Sequence, residues 1–143
     1  MKISIITPSL NQGKYIKDCI ESAINQNYNN FEHIIIDGDS DDNTFEVISN
    51  YNHLRVVREK DSGPASAINK GIKLASGEIV AWLNADDYYD RNVFEKINSL
   101  FENNPKVKFI YGNLTFVNEN KKILLRDKSK SFSYDSLINK SPD

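Results

Sequence analysis

A single cysteine, Cys19, excludes any disulfide within the chain, and the only two histidines, His33 and His53, stand at no spacing that would hold zinc. Both read as structural. The six glycines form neither a Gly-x-Gly-x-x-Gly fingerprint nor a Walker P-loop, so dinucleotide and P-loop readings fail. No Ser-His-Asp or Cys-His arrangement can be argued, which removes the common covalent hydrolases. Long apolar runs are missing as well. Nothing approaches the roughly 20 residues of a membrane span, and the N-terminal run MKISIITP is too short for a signal peptide. Nor does charge of one sign dominate: the net charge is −2, with basic residues scattered apart from Lys121-Lys122 and Lys128/Lys130. That balance argues against a nucleic-acid partner, and the lysines read as a solubilising surface. A soluble cytoplasmic protein is expected.

What the chain does have is alternation. Its 143 residues suffice for one domain or a piece of one. Residues 2–7 (KISIIT) read as a strand closed by Pro8. Residues 14–25 read as a helix with Ile16, Cys19, Ile20, Ala23 and Ile24 on its apolar face. A second strand at 31–37 (FEHIIID), a short helix at 44–51 and a third strand at 54–58 follow. Pro64 opens a helix reaching 75, with Gly77 as its expected C-terminal cap. Residues 78–83 (EIVAWL) read as a buried strand. Val93, Ile97, Leu100 and Phe101 mark a last helix, stopped by Asn103-Asn104-Pro105. Residues 108–117 and 121–126 then read as a hairpin around Asn118-Glu119-Asn120. The remainder is polar, with one helical patch at 134–138. The expected fold is α/β, a mostly parallel sheet flanked by helices with a late β-hairpin. The chain stops at Ser141-Pro142-Asp143 without a closing element, as if truncated between elements.

The chemistry is expected at the carboxyl ends of the strands, where open α/β sheets bind ligands. Three polar loops should gather there: Thr7-Pro8-Ser9-Leu10-Asn11, the run from Asp37 to Thr44, and Asn84-Ala85-Asp86-Asp87, with 59–63 in reach. Two ionised carboxylates about 5 Å apart repel by roughly 3 kcal/mol at an effective dielectric of about 20. A divalent cation between them and an anionic ligand relieves that repulsion, and oxygen ligands suit Mg2+ or Mn2+ shared with phosphates. Hydroxyls, carboxylates and amides on one rim suit a nucleoside diphosphate. Each piece alone has a plainer reading: an acidic pair also suits a helix N-terminus, Asp42 or Thr44 could cap the short helix, and Ser9 or Asn11 the first helix. Asp37 resists that reading, since it closes a strand that should be buried.

Four stretches, TPSLNQGKYI, IIIDGDSDDNT, DSGPASAINKGIKLASGE and IVAWLNADD, resemble in order and spacing the N-terminal, nucleotide-sugar-binding half of family-two glycosyltransferases of the GT-A (Rossmann-like) fold, over roughly residues 1–115. The resemblance implies a nucleotide-sugar donor, UDP-sugar foremost, a divalent metal (Mn2+ or Mg2+), and inverting transfer to a hydroxyl of a saccharide or lipid-linked saccharide. It implies that Thr7, Pro8 and Ser9 line the nucleotide, that Asp37 contacts the base, and that Asp61 lies near the nucleotide pocket. Asn84 and Ala85 fall on the first two positions of the family's Asp-x-Asp motif, and Asp86 on the last, which holds the metal. Two departures stand out. Asn84 replaces the first aspartate, a form some members of the family accept. The general base on the acceptor hydroxyl has no match: Asp90, Asp127 and Asp135 lie in the wrong context, and Asp143 is the last residue. The expected organisation is a donor-binding domain at 1–117, with 118–143 as the hairpin return and the start of a truncated acceptor region. Little or no transfer is expected from the chain alone. A peripheral membrane contact and a homodimer through exposed sheet remain open, and the alternative function is a non-catalytic nucleotide- or sugar-binding module or an inactive fragment. A phosphoacceptor receiver domain would need an acidic pair where Thr7-Pro8-Ser9 stands. A sugar-nucleotidyltransferase would need a Gly-rich basic loop in place of Asn11-Gln12-Gly13-Lys14.

Overall fold

The computed structural model describes residues 1–128. Four parallel strands, β1 (Ile3–Ser9), β2 (Phe31–Asp37), β3 (Leu54–Arg58) and β4 (Ile79–Trp82), form a sheet in the order β3-β2-β1-β4. The helices are α1 (Ile16–Ile24), α2 (Thr44–Ile48), α3 (Pro64–Leu74) and α4 (Val93–Asn103). The two central strands carry the isoleucine runs, Ile3, Ile5 and Ile6 against Ile34, Ile35 and Ile36, all buried, as strands covered on both faces must be. Alternation then sorts the core. Ile3, Ile5, Ile35 and Ile79 face α1, α2 and α4 through Cys19, Ala23, Ile16, Ile20, Ile48 and Phe94. Ile34 and Ile36 face α3 through Ala67. Helix α3 lies directly on β1 because Gly71 has no side chain; a Cβ there would fall 2.3 Å from Ile6 Cγ2. One helix cannot cover four strands, so Val80 and Trp82 of β4, on the α3 face, stay exposed.

Two local expectations are corrected. Pro8 does not end β1, which runs on to Ser9. The carbonyl of Ile6 takes the last link to β4, from Leu83 N–H. Pro8 faces the same side two residues later, where β4 has already ended, so its missing N–H leaves no rung broken. Gly77 does not cap α3, which ends at Leu74 with Ala75 as its C-cap. It is glycine because a Cβ would meet the Lys2 carbonyl at 2.6 Å and Ser4 Oγ at 2.8 Å, where the turn into β4 crosses β1.

The first compact unit spans Met1–Asn103, and a second begins at Asn104. The second contains the expected hairpin, shortened to β5 (Leu114–Val117) and β6 (Ile123–Asp127), antiparallel with an irregularity at Phe116/Val117. Asn118 Oδ1 accepts from the N–H groups of Asn120 and Lys122 to close its turn. Residues 108–113, expected as strand, are not strand. The helical patch at 134–138, Lys130, Asp135 and Asp143 lie outside the described residues. No helix among the described residues is long and apolar enough to cross a membrane.

Candidate functional site

The loops after β1 and β2 are sewn together. Asn11 N–H donates to Ser40 Oγ (2.9 Å), Gln12 N–H to Thr44 Oγ1 (2.8 Å) and Gly13 N–H to Asp42 Oδ2 (3.0 Å), while Asp41 N–H donates back to Asn11 Oδ1 (3.0 Å). Asn11 and Ser9 therefore cap nothing: α1 follows Tyr15, with no side-chain cap. Asn11 instead takes the left-handed conformation, φ 54°, that lets its amide face the neighbouring loop. Asp42 also accepts from Thr44 N–H at 2.9 Å. Its carboxyl is held below the usual range, first by the Thr44 hydroxyl. Asp42 and Thr44 thus serve the loop junction.

At this rim Asp37 is fully buried, and both its oxygens are engaged. Oδ1 accepts from Ser40 Oγ at 2.5 Å, and Oδ2 accepts from Ser40 N–H at 3.1 Å and lies 3.5 Å from Arg58 Nε. Gly38 N–H donates to the Ser9 carbonyl at 2.8 Å. A Cβ on Gly38 would sit 3.4 Å from Leu10 Cδ1, 3.5 Å from the Ser9 carbonyl oxygen and 3.6 Å from Asp61 Oδ2. The structure therefore brings Ser9, Asp37 and Asp61 together around Gly38, with the exposed Leu10 beside them. Asp61 is aimed by its other oxygen, which accepts from Gly63 N–H at 2.8 Å. Ser9 Oγ is buried and has no hydrogen-bond partner among the described residues. Pro8 is half-buried beside it. Thr7 points inward: its hydroxyl bonds His33 Nε2 at 2.8 Å and lies 3.7 Å from Cys19 Sγ.

The acidic loop is positioned by burial on alternate residues. Leu83 lies in the cluster around Ile3, Ile5 and Phe94, and Ala85 in the one around Ile16, Ile20, Ile35 and Ile48. With those two pinned, Asn84 and Asp86 are exposed. Asp87 N–H closes a turn onto the Asn84 carbonyl (3.1 Å), and Asn84 Nδ2 donates to Asp87 Oδ2 (3.0 Å). Asp86 makes no hydrogen bond or ion pair among the described residues. The loop lies close to β1 and α1: burial, then the charges of Asp87 and Asp86, push the Cys19 thiol up to about 12. Cys19 is a packing residue.

Among the described residues no group of three or more His, Cys, Asp or Glu could enclose a metal ion. One exposed, partnerless carboxylate fits a different donor set, that of a hard cation which keeps waters and takes its remaining ligands from phosphate oxygens. Arg58 lies in none of the four stretches, and Leu10, though within TPSLNQGKYI, has no polar group to draw notice. Only the register that sets Arg58 opposite Asp37 signals the first.

The model for glycosyl transferase family 2 matches residues 4–141. The chain belongs to that family. It is 33% identical over 140 residues, 95% of its length, to WfgD of Escherichia coli, a UDP-Glc:alpha-D-GlcNAc-diphosphoundecaprenol beta-1,3-glucosyltransferase. Its fold resembles that of S. aureus TarS 1-349 in complex with UDP-GlcNAc, with TM-score 0.66 and 28% identity over 72% of this chain and 32% of that one. The mannosyltransferase PcManGT of Pyrobaculum calidifontis, in complex with GDP-Man and Mn2+, shares the fold at TM-score 0.65 and 23% identity, covering 82% of this chain and 36% of that one. These are GT-A glycosyltransferases, and the α/β sheet here is their N-terminal part. The family-two chain spans about half the WfgD length (54%) and 18–56% of that of other curated relatives.

Proposed function

We propose that this chain is the donor- and metal-binding part of a glycosyltransferase that uses a nucleotide-diphosphate sugar, UDP-sugar foremost, in the cytoplasm. The transfer is to a hydroxyl of a saccharide or lipid-linked saccharide, with inversion. The observation that carries the reading is Asp86, exposed and without a partner among the described residues, fixed by buried Leu83 and Ala85 at the ends of the strands that also present Ser9, Asp37 and Asp61. In this reading Pro8, Ser9, Asp37 and Asp61 form the nucleoside end of the site, Thr7 stands behind them with its side chain committed to His33, and Asn84, Ala85 and Asp86 form the diphosphate end. Asp86 would hold Mn2+ or Mg2+, which when bound offsets charge on the departing diphosphate. Asn84 Nδ2 occupies one oxygen of Asp87, which leaves Asp86 as the carboxylate of this pair without a hydrogen bond among the described residues. Metal and donor should then bind together, each supplying ligands the other needs. The names of WfgD and of the TarS complex support UDP. In this reading the acceptor's general base is not supplied by this chain.

Calorimetric titration of UDP and GDP, each with and without Mn2+, tests the assignment on the wild type and Asp86→Ala. Metal-dependent binding of UDP is expected, weakened at least about tenfold by the substitution, with an unchanged melting temperature because Asp86 supports nothing in the fold. Equal binding by both proteins would remove Asp86 from the site, and absence of binding by the folded wild type would remove the donor reading.

A further inference from the structure

The rim loop after β2 is held by a side chain that no motif points to. Arg58 is the last residue of β3 and stands in register with Asp37, the last of β2. Its guanidinium reaches several groups at once. Nε lies 3.2 Å from Asp39 Oδ1 and 3.5 Å from Asp37 Oδ2, and Nη2 donates to the Ser40 carbonyl at 2.7 Å. Its Cζ also lies 4.8 Å from the centre of the Phe45 ring, so the first turn of α2 is gathered in. The loop it grips is not a relaxed one. Asp39 has φ 69°, the left-handed region that costs a residue with a side chain. Asp37 closes the turn from below, taking both the hydroxyl and the N–H of Ser40. An ordinary exposed ion pair contributes little. A planar fork spanning two carboxylates, a carbonyl and an aromatic face fixes a geometry that a point charge cannot.

We propose that Arg58 is a positioning residue for the nucleoside end of the donor. It latches the Asp37–Ser40 turn so that Gly38, the Ser9 carbonyl and Asp61 keep the spacing that receives the ligand. This rests on the donor-site reading above. Arg58 does not touch the reacting atoms; it acts through the turn.

The test uses the full chain with Arg58→Gln and Arg58→Lys, titrated calorimetrically with UDP and with inorganic pyrophosphate, both with Mn2+. Amide exchange at 39–41 and thermal unfolding are followed in parallel. Arg58→Gln is expected to weaken UDP about tenfold, on the scale of losing hydrogen bonds to charged groups, and to leave pyrophosphate within about twofold of wild type. Arg58→Lys, which keeps the charge but not the fork, should fall between. The Ser40 amide should exchange faster in the glutamine variant, with little change in melting temperature. Unchanged UDP affinity overturns the proposal, and so does an equal loss of UDP and pyrophosphate, which would mean general damage. If the wild type binds neither ligand, the donor reading itself fails and the positioning role falls with it. A Ser40 amide equally protected in wild type and variant would then dispose of the latch as well.

Discussion

Adjacent residues in this chain meet opposite fates, and the cause is which face of the sheet they reach. Asp86 is exposed although Ala85 before it is buried, and Thr7 is fully buried and bonds His33 although Pro8 after it is only half-buried. His33 shows the cost of such placement. Burial, helped by the charge of His53, pushes its imidazole down to about 3, and its Nδ1 has no partner among the described residues. The folded pKa lies below the unfolded one, so the unfolded chain takes up the proton first as pH falls. Stability present above the unfolded value of 6.5 should be lost progressively between there and 3. The slope is at most about 1.4 kcal/mol per pH unit. Urea titrations across that window should show it, and His33→Gln should remove it; an unchanged slope in the variant would place the proton elsewhere. At Gly71 the prediction is steric. Gly71→Ala should destabilise by roughly 1–3 kcal/mol through overpacking, although alanine is the better helix former, because the Ile6 branch it meets is buried next to its own backbone. A higher urea midpoint in the variant would contradict this.

At the scale of elements, the strand starts are tied by one carboxylate. Glu32 of β2 accepts from Ser4 Oγ of β1 at 2.5 Å and from Ser76 N–H and Oγ, each at 2.8 Å, before β4, with Lys2 Nζ at 3.5 Å. Burial alone would raise its pKa; the bonds from Ser4 and Ser76 and the charge of Lys2 outweigh that and hold it at about 2. Its contribution is therefore present above the ordinary glutamate value of 4.5 and is lost as pH falls from there toward 2. Glu32→Gln should flatten the acid limb in that lower window while leaving the His33 slope above it, which pH-dependent unfolding of both variants separates. At the opposite end of the strands, the β1 and β2 loops share their hydrogen bonds and should move as one body. Asn11→Ala removes the acceptor for Asp41 N–H and should speed amide exchange at 41 in the other loop, thirty residues along the chain.

On the scale of the molecule, stability should be uneven. Strands β1 and β2 are buried on both faces, whereas the hairpin of the second unit leaves Leu114, Phe116, Leu124 and Leu125 exposed. Two-stranded hairpins are marginal by themselves. Native-state hydrogen exchange should accordingly find β1 and β2 slowest and β5 and β6 close to unprotected; comparable protection would show that something covers the hairpin. Exposed apolar surface of this kind also favours self-association. The apparent mass in sedimentation should rise with concentration, and Leu124→Lys should reduce the effect.

The order of strands and helices was legible because each sheet strand is a short apolar run between breakers, and the local hydrophobic pattern is what drives that part of folding. The loops after β1, β2 and β4 were legible as rim loops for the same reason, since a loop after a buried strand must reach the rim. What the chain could not announce were contacts between residues distant in sequence. Arg58 looks like any strand-end arginine until register sets it against Asp37. Gly77 looks like a helix cap until β1 crosses it. Thr7 and Ser9 look alike until the pleat turns both into the core face, where His33 meets one and leaves the other unpaired. The sequence by itself determined the parallel α/β sheet, its family and the acidic loop. Only the tertiary structure decided which carboxylate is free and which are committed, because hydrogen-bond partners are chosen by packing across strands and not by neighbours along the chain.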